Sequence, residues 1–293
     1  MKISCFGASV TQQKKGYCHS LEYLFNVKIN NFGYGSEHIF PSGITHINEV
    51  LKSEPDLCFI DWFSTGYETL GDEVLITLDT IKYKFSKANC KLIFLFFPRN
   101  DHDNRINFYN FIKKYLIKND LYFIDLNDYL KYNTEIIRDH VHTTLLGAQE
   151  YSKFIYYNFD KDFDKIKIPD NIIENKYCNV KELEINKKFL KKVKFFGNCY
   201  ILSFDLNIGP NSGYIRIDNL RNDLLWDNSC HYNRKCAKLN KIKVDGELEL
   251  YVLQRQIDYS NCRRDYDFSN INFELDIIKI YYIGDNLNFI KGN

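Results

Sequence analysis

Residues 56–63 read DLCFIDWF, and residues 91–97 read KLIFLFF. Neither run alternates apolar with polar residues, so each suits a strand buried on both faces, as in a parallel sheet covered by helices on either side. Pro98 stops the second run. Outward from this pair, short apolar runs alternate with helix-length segments. Strands are expected at 2–6, 27–31, 56–63, 91–97 and 121–126, and helices at 17–25, 43–51, 70–85, 104–117 and 143–157. The helix over 104–117 carries Ile106, Tyr109, Phe111 or Ile112, and Leu116 at helical spacing, and a Thr caps the last helix. Strands separated by such segments form βαβ units with right-handed crossovers, which together make a doubly wound parallel sheet.

The pattern changes after about residue 160. Residues 161–176 are polar, include Pro169 and read as a linker. Beyond them strands are expected at 193–196, 199–208, 213–217, 241–244, 247–256 and 271–283. Gly209-Pro210-Asn211, Asp245-Gly246 and Gly284-Asp285-Asn286 supply turns between them. Asp245-Gly246 between alternating runs predicts a hairpin. The expected organisation is an α/β domain at 1–160, a linker at 161–176 and an all-β sandwich of jelly-roll type at 177–293. A chain of 293 residues is long enough for two domains. No fixed-period repeat indicates a solenoid.

Composition excludes several classes of function. Lys and Arg number 39 against 38 Asp and Glu, a net charge of +1. A general polyanion binder is strongly basic, so nucleic acid is not an expected partner. No run reaches the 18 or so apolar residues of a membrane span. The first residues, MKISCFG, read as a strand entering a turn rather than as a signal peptide. Nine cysteines without CxxC spacing are then most simply reduced thiols, and the expected location is the cytoplasm. Cys230 and Cys236 flank His231, but a zinc site needs further ligands at familiar spacing, so no metal is expected. Aromatics reach 16%, with 23 Phe and 22 Tyr against 2 Trp. An AT-rich coding sequence is the simplest source of this excess, and a surface that stacks sugars is the sharper alternative.

Chemistry in an open α/β sheet gathers at the carboxyl ends of the strands. Three stretches fall there. Phe6-Gly7-Ala8-Ser9-Val10-Thr11 follows the first strand, where small residues at a helix entry expose the Ser9 hydroxyl and backbone N–H groups favour an anion. The plain alternative is that Ser9 or Thr11 only caps the helix. Asn31-Phe32-Gly33-Tyr34-Gly35-Ser36 follows the second strand, and its glycines permit close backbone approach. Asp139-His140-Val141-His142 follows the last strand. An Asp three residues before a His can accept its Nδ1–H and leave the other nitrogen facing a nucleophile. Simple loop solvation is the alternative there.

Taken in order, these stretches resemble the SGNH (GDSL-type) hydrolase family over about residues 1–160. The resemblance implies a flavodoxin-like sheet and ester chemistry through an acyl-serine. It implies Ser9 as nucleophile, Asp139 and His142 as the D-x-x-H pair, and Gly33 with the Ser9 N–H as oxyanion donors. The chain departs from the family pattern twice. Ala8 stands where the family has an acidic residue, and Phe63-Ser64-Thr65-Gly66 stands where Gly-x-Asn-Asp is expected. The oxyanion Asn is therefore absent. Thr65 aligns with it and Ser64 is next best.

Among the other residues, Ser64, Tyr34 and Arg99 are expected to contact substrate, Arg99 as part of Arg99-Asn100-Asp101-His102 at the crevice rim. His140 is an alternative base that lacks the i+3 spacing. Cys5, and Cys18 with His19, read as structural, and the basic stretch 187–194 reads as a solvated face. The leading expectation is a serine esterase that removes O-acyl groups, chiefly acetyl, from a carbohydrate without a cofactor. One alternative is an O-acyltransferase using the same triad, with acetyl-CoA as donor and a polysaccharide or its precursor as acceptor. The other is a non-catalytic carbohydrate-binding protein. The carbohydrate reading rests on the β domain, where Tyr200, Tyr214, Trp226, Tyr232, Tyr251 and Tyr259 offer stacking faces.

Overall fold

A computed structural model describes residues 1–65, 71–100, 106–130, 134–170, 172–226, 233–238, 241–262, 267, 269 and 271–291, with the side chains of Asp128 and Phe189 excepted. Gly66, Leu70, Asp101, His102, Asn104, Cys230, His231 and Tyr232 lie outside the described residues. The chain divides into two compact units, Met1–Cys178 and Asn179–Asn293.

In the first unit β1 (Ile3–Gly7), β2 (Ile29–Gly33), β3 (Leu57–Asp61), β4 (Lys91–Phe96) and β5 (Phe123–Asp125) pair in parallel, in the order β2-β1-β3-β4-β5. Every residue of β1 and β3 is buried. Side chains leave a strand alternately to opposite faces. Cys58, Ile60 and Trp62 enter one core with Leu78, Ile81 and Phe85 of α5 (Asp72–Lys87) and Ile112 and Leu116 of α6 (Ile106–Lys118). Leu57 and Phe59 enter a second core with Tyr17 and Leu21 of α2 (Tyr17–Phe25) and Tyr151 and Ile155 of α7 (Leu145–Asp162). The sheet is thus covered on both faces, as its unbroken apolar strands require.

Two details of this unit differ from expectation. The helix expected over 43–51 begins earlier and is two short helices, α3 (Ile39–Thr45) and α4 (Ile47–Leu51), which meet at His46. His46 is buried, with Nε2 2.9 Å from the buried Glu37 carboxylate. Residues 161–176 are not a free linker. Helix α7 continues to Asp162, Ile166 is buried in the second core, and the Ser86 hydroxyl donates to the Pro169 carbonyl at 2.6 Å. Polar composition hides this attachment, because the buried Ile166, the Pro169 carbonyl and the Asn175 side chain, bonded to Thr80, carry it.

The second unit is antiparallel. Its strands are β6 (Lys181–Leu190), β7 (Lys192–Ile208), β8 (Tyr214–Ile217), β9 (Arg221–Leu224), β10 (Arg234–Lys238), β11 (Ile242–Leu253), β12 (Leu275–Gly284) and β13 (Asn288–Lys291). They run in the order β6-β12-β7-β11-β8-β9, with β10 and β13 also paired to β7. The β-sandwich expected here is an all-β unit whose strands are joined through the long β7. The N-terminal part of β7 pairs with β11 and β13, and the C-terminal part with β12 and β10. Phe195, Phe204, Leu206, Ile217, Leu250 and Ile280 are buried in its core.

The hairpin expected at Asp245-Gly246 is absent. Strand β11 runs through both residues and stays in register with β7 from Ile242↔Ile201 to Tyr251↔Lys192, with Gly246 opposite Gly197. Gly246 has φ +86, and its N–H donates to the Asn198 side chain at 3.1 Å. The Asp-Gly pair therefore supplies a left-handed residue inside a strand instead of a chain reversal. The basic stretch 187–194 spans the end of β6 and the start of β7. Lys192 pairs with Glu249 at 2.5 Å and Lys194 with Glu247 at 2.5 Å.

Candidate active site

Ser9 is the first residue of α1 (Ser9–Gln12), a single helical turn directly after β1. The small residues before it are required by close packing. A Cβ on Gly7 would lie 2.2 Å from the Asp61 carbonyl oxygen, and the Ala8 N–H donates to that same oxygen at 2.9 Å. The first turn is thereby pressed onto the end of β3. The turn has four residues, so any dipole contribution to an anion is that of one turn.

His142 sits on the short loop before α7. An antiparallel bridge joins Ile137 to Thr143, and the Arg138 N–H donates to the His142 carbonyl at 2.9 Å. Asp139 Oδ1 accepts the N–H groups of Val141 at 3.0 Å and His142 at 2.9 Å, and Asp139 Oδ2 lies 2.9 Å from His142 Nδ1. Partial burial raises the Asp139 pKa, but these N–H groups and the His142 ring outweigh it and hold the carboxyl below its usual value. An ionised carboxylate only accepts hydrogen bonds, so Nδ1 carries the ring proton of neutral His142. Nε2 is then the acceptor, and Ser9 Oγ lies 2.9 Å from it. The three residues form a continuous relay in which Ser9 O–H donates to His142 and His142 N–H donates to Asp139.

The remaining expected site residues fall into different places. Gly33 closes β2 opposite Gly7, and a Cβ there would lie 2.2 Å from the Gln12 nitrogen, so its smallness lets β2 pack against α1. Asn31 of the same stretch donates its side-chain amide to the Thr11 carbonyl at 2.7 Å. Thr65 lies in a 3-10 turn at Phe63–Thr65, and its hydroxyl donates to the Trp62 carbonyl at 2.9 Å. That bond occupies the only proton an oxyanion could receive from it. Ser64 is 1% exposed, which takes it away from any substrate surface. Arg99 donates to the Ser64 carbonyl, so it stitches the turn after β4 to the turn after β3. Tyr34 stacks on His46 with centroids 3.8 Å apart, and its hydroxyl donates to Glu49 at 2.9 Å. His140, the alternative to His142, is bonded elsewhere. Its Nδ1 meets Asn100 Oδ1 at 2.9 Å, and its carbonyl accepts the Asn100 N–H.

Two groups beside the relay escaped sequence reading. The first is Asp61, fully buried at the end of β3, which accepts the Thr11 hydroxyl at 2.9 Å. Thr11 in turn lies 2.9 Å from the Tyr17 hydroxyl. Burial raises the Asp61 carboxyl to about 7, with Ser64 and Thr11 opposing the rise. The second is Gln13, whose side-chain amide bonds the backbone of Thr143 in both directions. Neither belongs to a motif. An acidic residue inside an otherwise apolar strand was the one available signal for Asp61.

The eight described cysteines are free thiols, and Cys5 and Cys18 are buried in the second core of the first unit. His19 lies 3.3 Å from Glu22 on the surface of α2. Among the described residues no group of three or more His, Cys, Asp or Glu is placed to hold a metal ion, and no helix is long and apolar enough to cross a membrane.

No family model matches the chain, and no curated protein sequence matches it. Solved structures do. A two-domain esterase active on acetylated mannans is 12% identical, with a TM-score of 0.66 over 98% of this chain and 92% of its own. The structure of such an esterase co-crystallised with mannopentaose is 11% identical, with a TM-score of 0.63 over 98% and 91%. At these identities the likeness is one of fold, and it extends over both units. The parallel order β2-β1-β3-β4-β5, with Ser9 after the first strand and the Asp139–His142 loop after the last, gives Met1–Cys178 the SGNH hydrolase fold.

Proposed function

We propose that this chain is a serine esterase that removes O-acyl groups, chiefly acetyl, from a carbohydrate. The single observation that carries the reading is the Ser9–His142–Asp139 relay, with 2.9 Å contacts on both sides of the imidazole. In the proposed reaction His142 Nε2 takes the Ser9 proton as Oγ bonds to the ester carbonyl carbon. The protonated ring, held by Asp139, then gives that proton to the departing sugar oxygen. An acyl-Ser9 ester remains, and water activated by His142 hydrolyses it. The backbone N–H groups of Ser9 and Gly33 are the proposed oxyanion donors. Thr65 joins them only by releasing the Trp62 carbonyl.

Support for the substrate class comes from the mannan-active esterase whose fold spans both units. The second unit also carries an open groove of about 870 Å³ over β8 and β11, lined by Arg216, Asp218, Asn219, Glu247, Glu249 and Tyr251 among others. Carboxylates, an amide and one aromatic ring are the groups that bind sugar hydroxyls and sugar faces. Of the other candidate aromatics, Trp226 is buried and packs edge-on against Tyr259, and Tyr214 lies under the Arg255 guanidinium.

The test is acetate release from acetylated mannan, and 4-nitrophenol release from 4-nitrophenyl acetate, by the full chain. Ser9→Ala, at unchanged circular dichroism, is expected to lower both by at least about 10³-fold. Undiminished release by that variant would refute the esterase reading.

A further inference from the structure

Ser9 and His142 are 133 residues apart in the sequence, and their side chains meet through one 2.9 Å bond. Beside it lies a second connection between the same two elements. Gln13, the residue directly after α1, accepts the Thr143 N–H at Oε1 and donates from Nε2 to the Thr143 carbonyl, both at 3.1 Å. The Thr143 hydroxyl also reaches Oε1, at 3.3 Å. The bridge that shapes the loop uses the Arg138 and Thr144 N–H groups, donated to the His142 and Ile136 carbonyls. The N–H and C=O of Thr143 remain for Gln13. Thr143 is 3% exposed, so water is a poor substitute partner for its peptide groups.

We propose that Gln13 is a positioning residue for the relay and that it acts most strongly after Ser9 has been acylated. This rests on the esterase reading above. In the free protein the Ser9 hydroxyl donates to His142 Nε2, and that bond itself holds the ring against the nucleophile. Once Oγ is bonded to the acyl carbon it has no proton to donate, and the bond is lost. Asp139 still grips His142, but it belongs to the same loop and moves with it. Asn100 holds that loop to the turn after β4, not to the Ser9 element. Among the described residues, Gln13 is then the hydrogen-bonded tie that registers His142 against the Ser9 turn.

Deacylation depends on this register. Water adds to the acyl carbon while His142 Nε2 takes its proton. The tetrahedral intermediate collapses, the bond from carbon to Ser9 Oγ breaks, and Oγ recovers the proton from His142 as the carboxylic acid leaves. Acylation begins with the Ser9–His142 bond intact and needs the clamp less.

Stopped-flow release of 4-nitrophenol from 4-nitrophenyl acetate separates the two steps. Gln13→Ala removes the clamp, and Gln13→Glu keeps the shape but loses the donor to the Thr143 carbonyl. Both are expected to show a burst close to one equivalent, at a rate constant near that of wild type. A steady state about tenfold to a hundredfold slower should follow. Intact-mass spectra of both variants should show more accumulated acetyl adduct than wild type does, an increase that a variant weakened only in folding would lack. Equal loss in the two phases, or an unchanged steady state in whichever variant folds, would overturn the proposal. Ser9→Ala separates the premises. If it still turns over, or if wild type releases no 4-nitrophenol, the esterase reading fails and takes this inference with it. If wild type is active, Ser9→Ala is inactive and the Gln13 variants match wild type, only the role of Gln13 fails.

Discussion

Asp61 is a carboxyl with no exposure, joined to Thr11 in the turn that presents Ser9. Its carboxyl is raised from 3.8 to about 7, with burial the largest cause. A carboxyl that keeps its proton more tightly when folded makes the folded state bind more protons than the unfolded chain. Stability then falls as pH rises from about 4 toward 7 and levels off above it. A shift of that size corresponds to about 4 kcal/mol in a fully buried group. Asn in its place still accepts from Thr11 and carries no charge. Asp61→Asn is therefore expected to flatten the fall in unfolding free energy between pH 4 and 7 and to be the more stable protein at pH 8. Urea titrations at several pH values measure this, and a variant whose pH slope equals that of wild type would contradict it.

At the scale of elements, Gly246 gives a clean case because no described residue lies within 4 Å of a Cβ placed on it. Its φ of +86 within β11 is then the obstacle to a side chain. Gly246→Ala is expected to cost about 1–2 kcal/mol, the penalty of a left-handed conformation. The urea midpoint should fall while 4-nitrophenyl acetate hydrolysis stays unchanged. This residue also marks where sequence reading stops. Alternation on both sides of Asp245-Gly246 is legible, but an in-line strand and a hairpin share that pattern. Only the pairing partner Gly197 distinguishes them, and it is 49 positions away. The parallel strands of the first unit are legible for the opposite reason. An unbroken run such as KLIFLFF has no other place to go than a sheet covered on both faces. Ser9, Asp139 and His142 are legible because each sits at a strand end in a short local motif. Gln13 and Asp61 are not, because they act through partners 130 and 50 positions away.

For the whole molecule, each unit has buried core residues of its own, in two clusters in Met1–Cys178 and one in Asn179–Asn293. The Phe excess is absorbed by these cores, with Phe59, Phe94, Phe96, Phe195 and Phe204 all fully buried. Tyr is divided. Tyr17, Tyr151 and Tyr281 are buried, whereas Tyr251 lines the groove of the second unit. All three members of the relay, with Gln13 and Asp61, belong to the first unit. A chain of residues 1–178 contains every residue proposed for bond making and breaking. It lacks the groove proposed to hold sugar. It is expected to hydrolyse 4-nitrophenyl acetate at a rate close to that of the full chain, and to lose most of its activity on acetylated mannan through a raised KM. Steady-state kinetics on both substrates check this. A folded 1–178 that is inactive on the small ester would mean that the relay needs a group from the second unit. Undiminished action on mannan would remove the sugar-holding role from the groove.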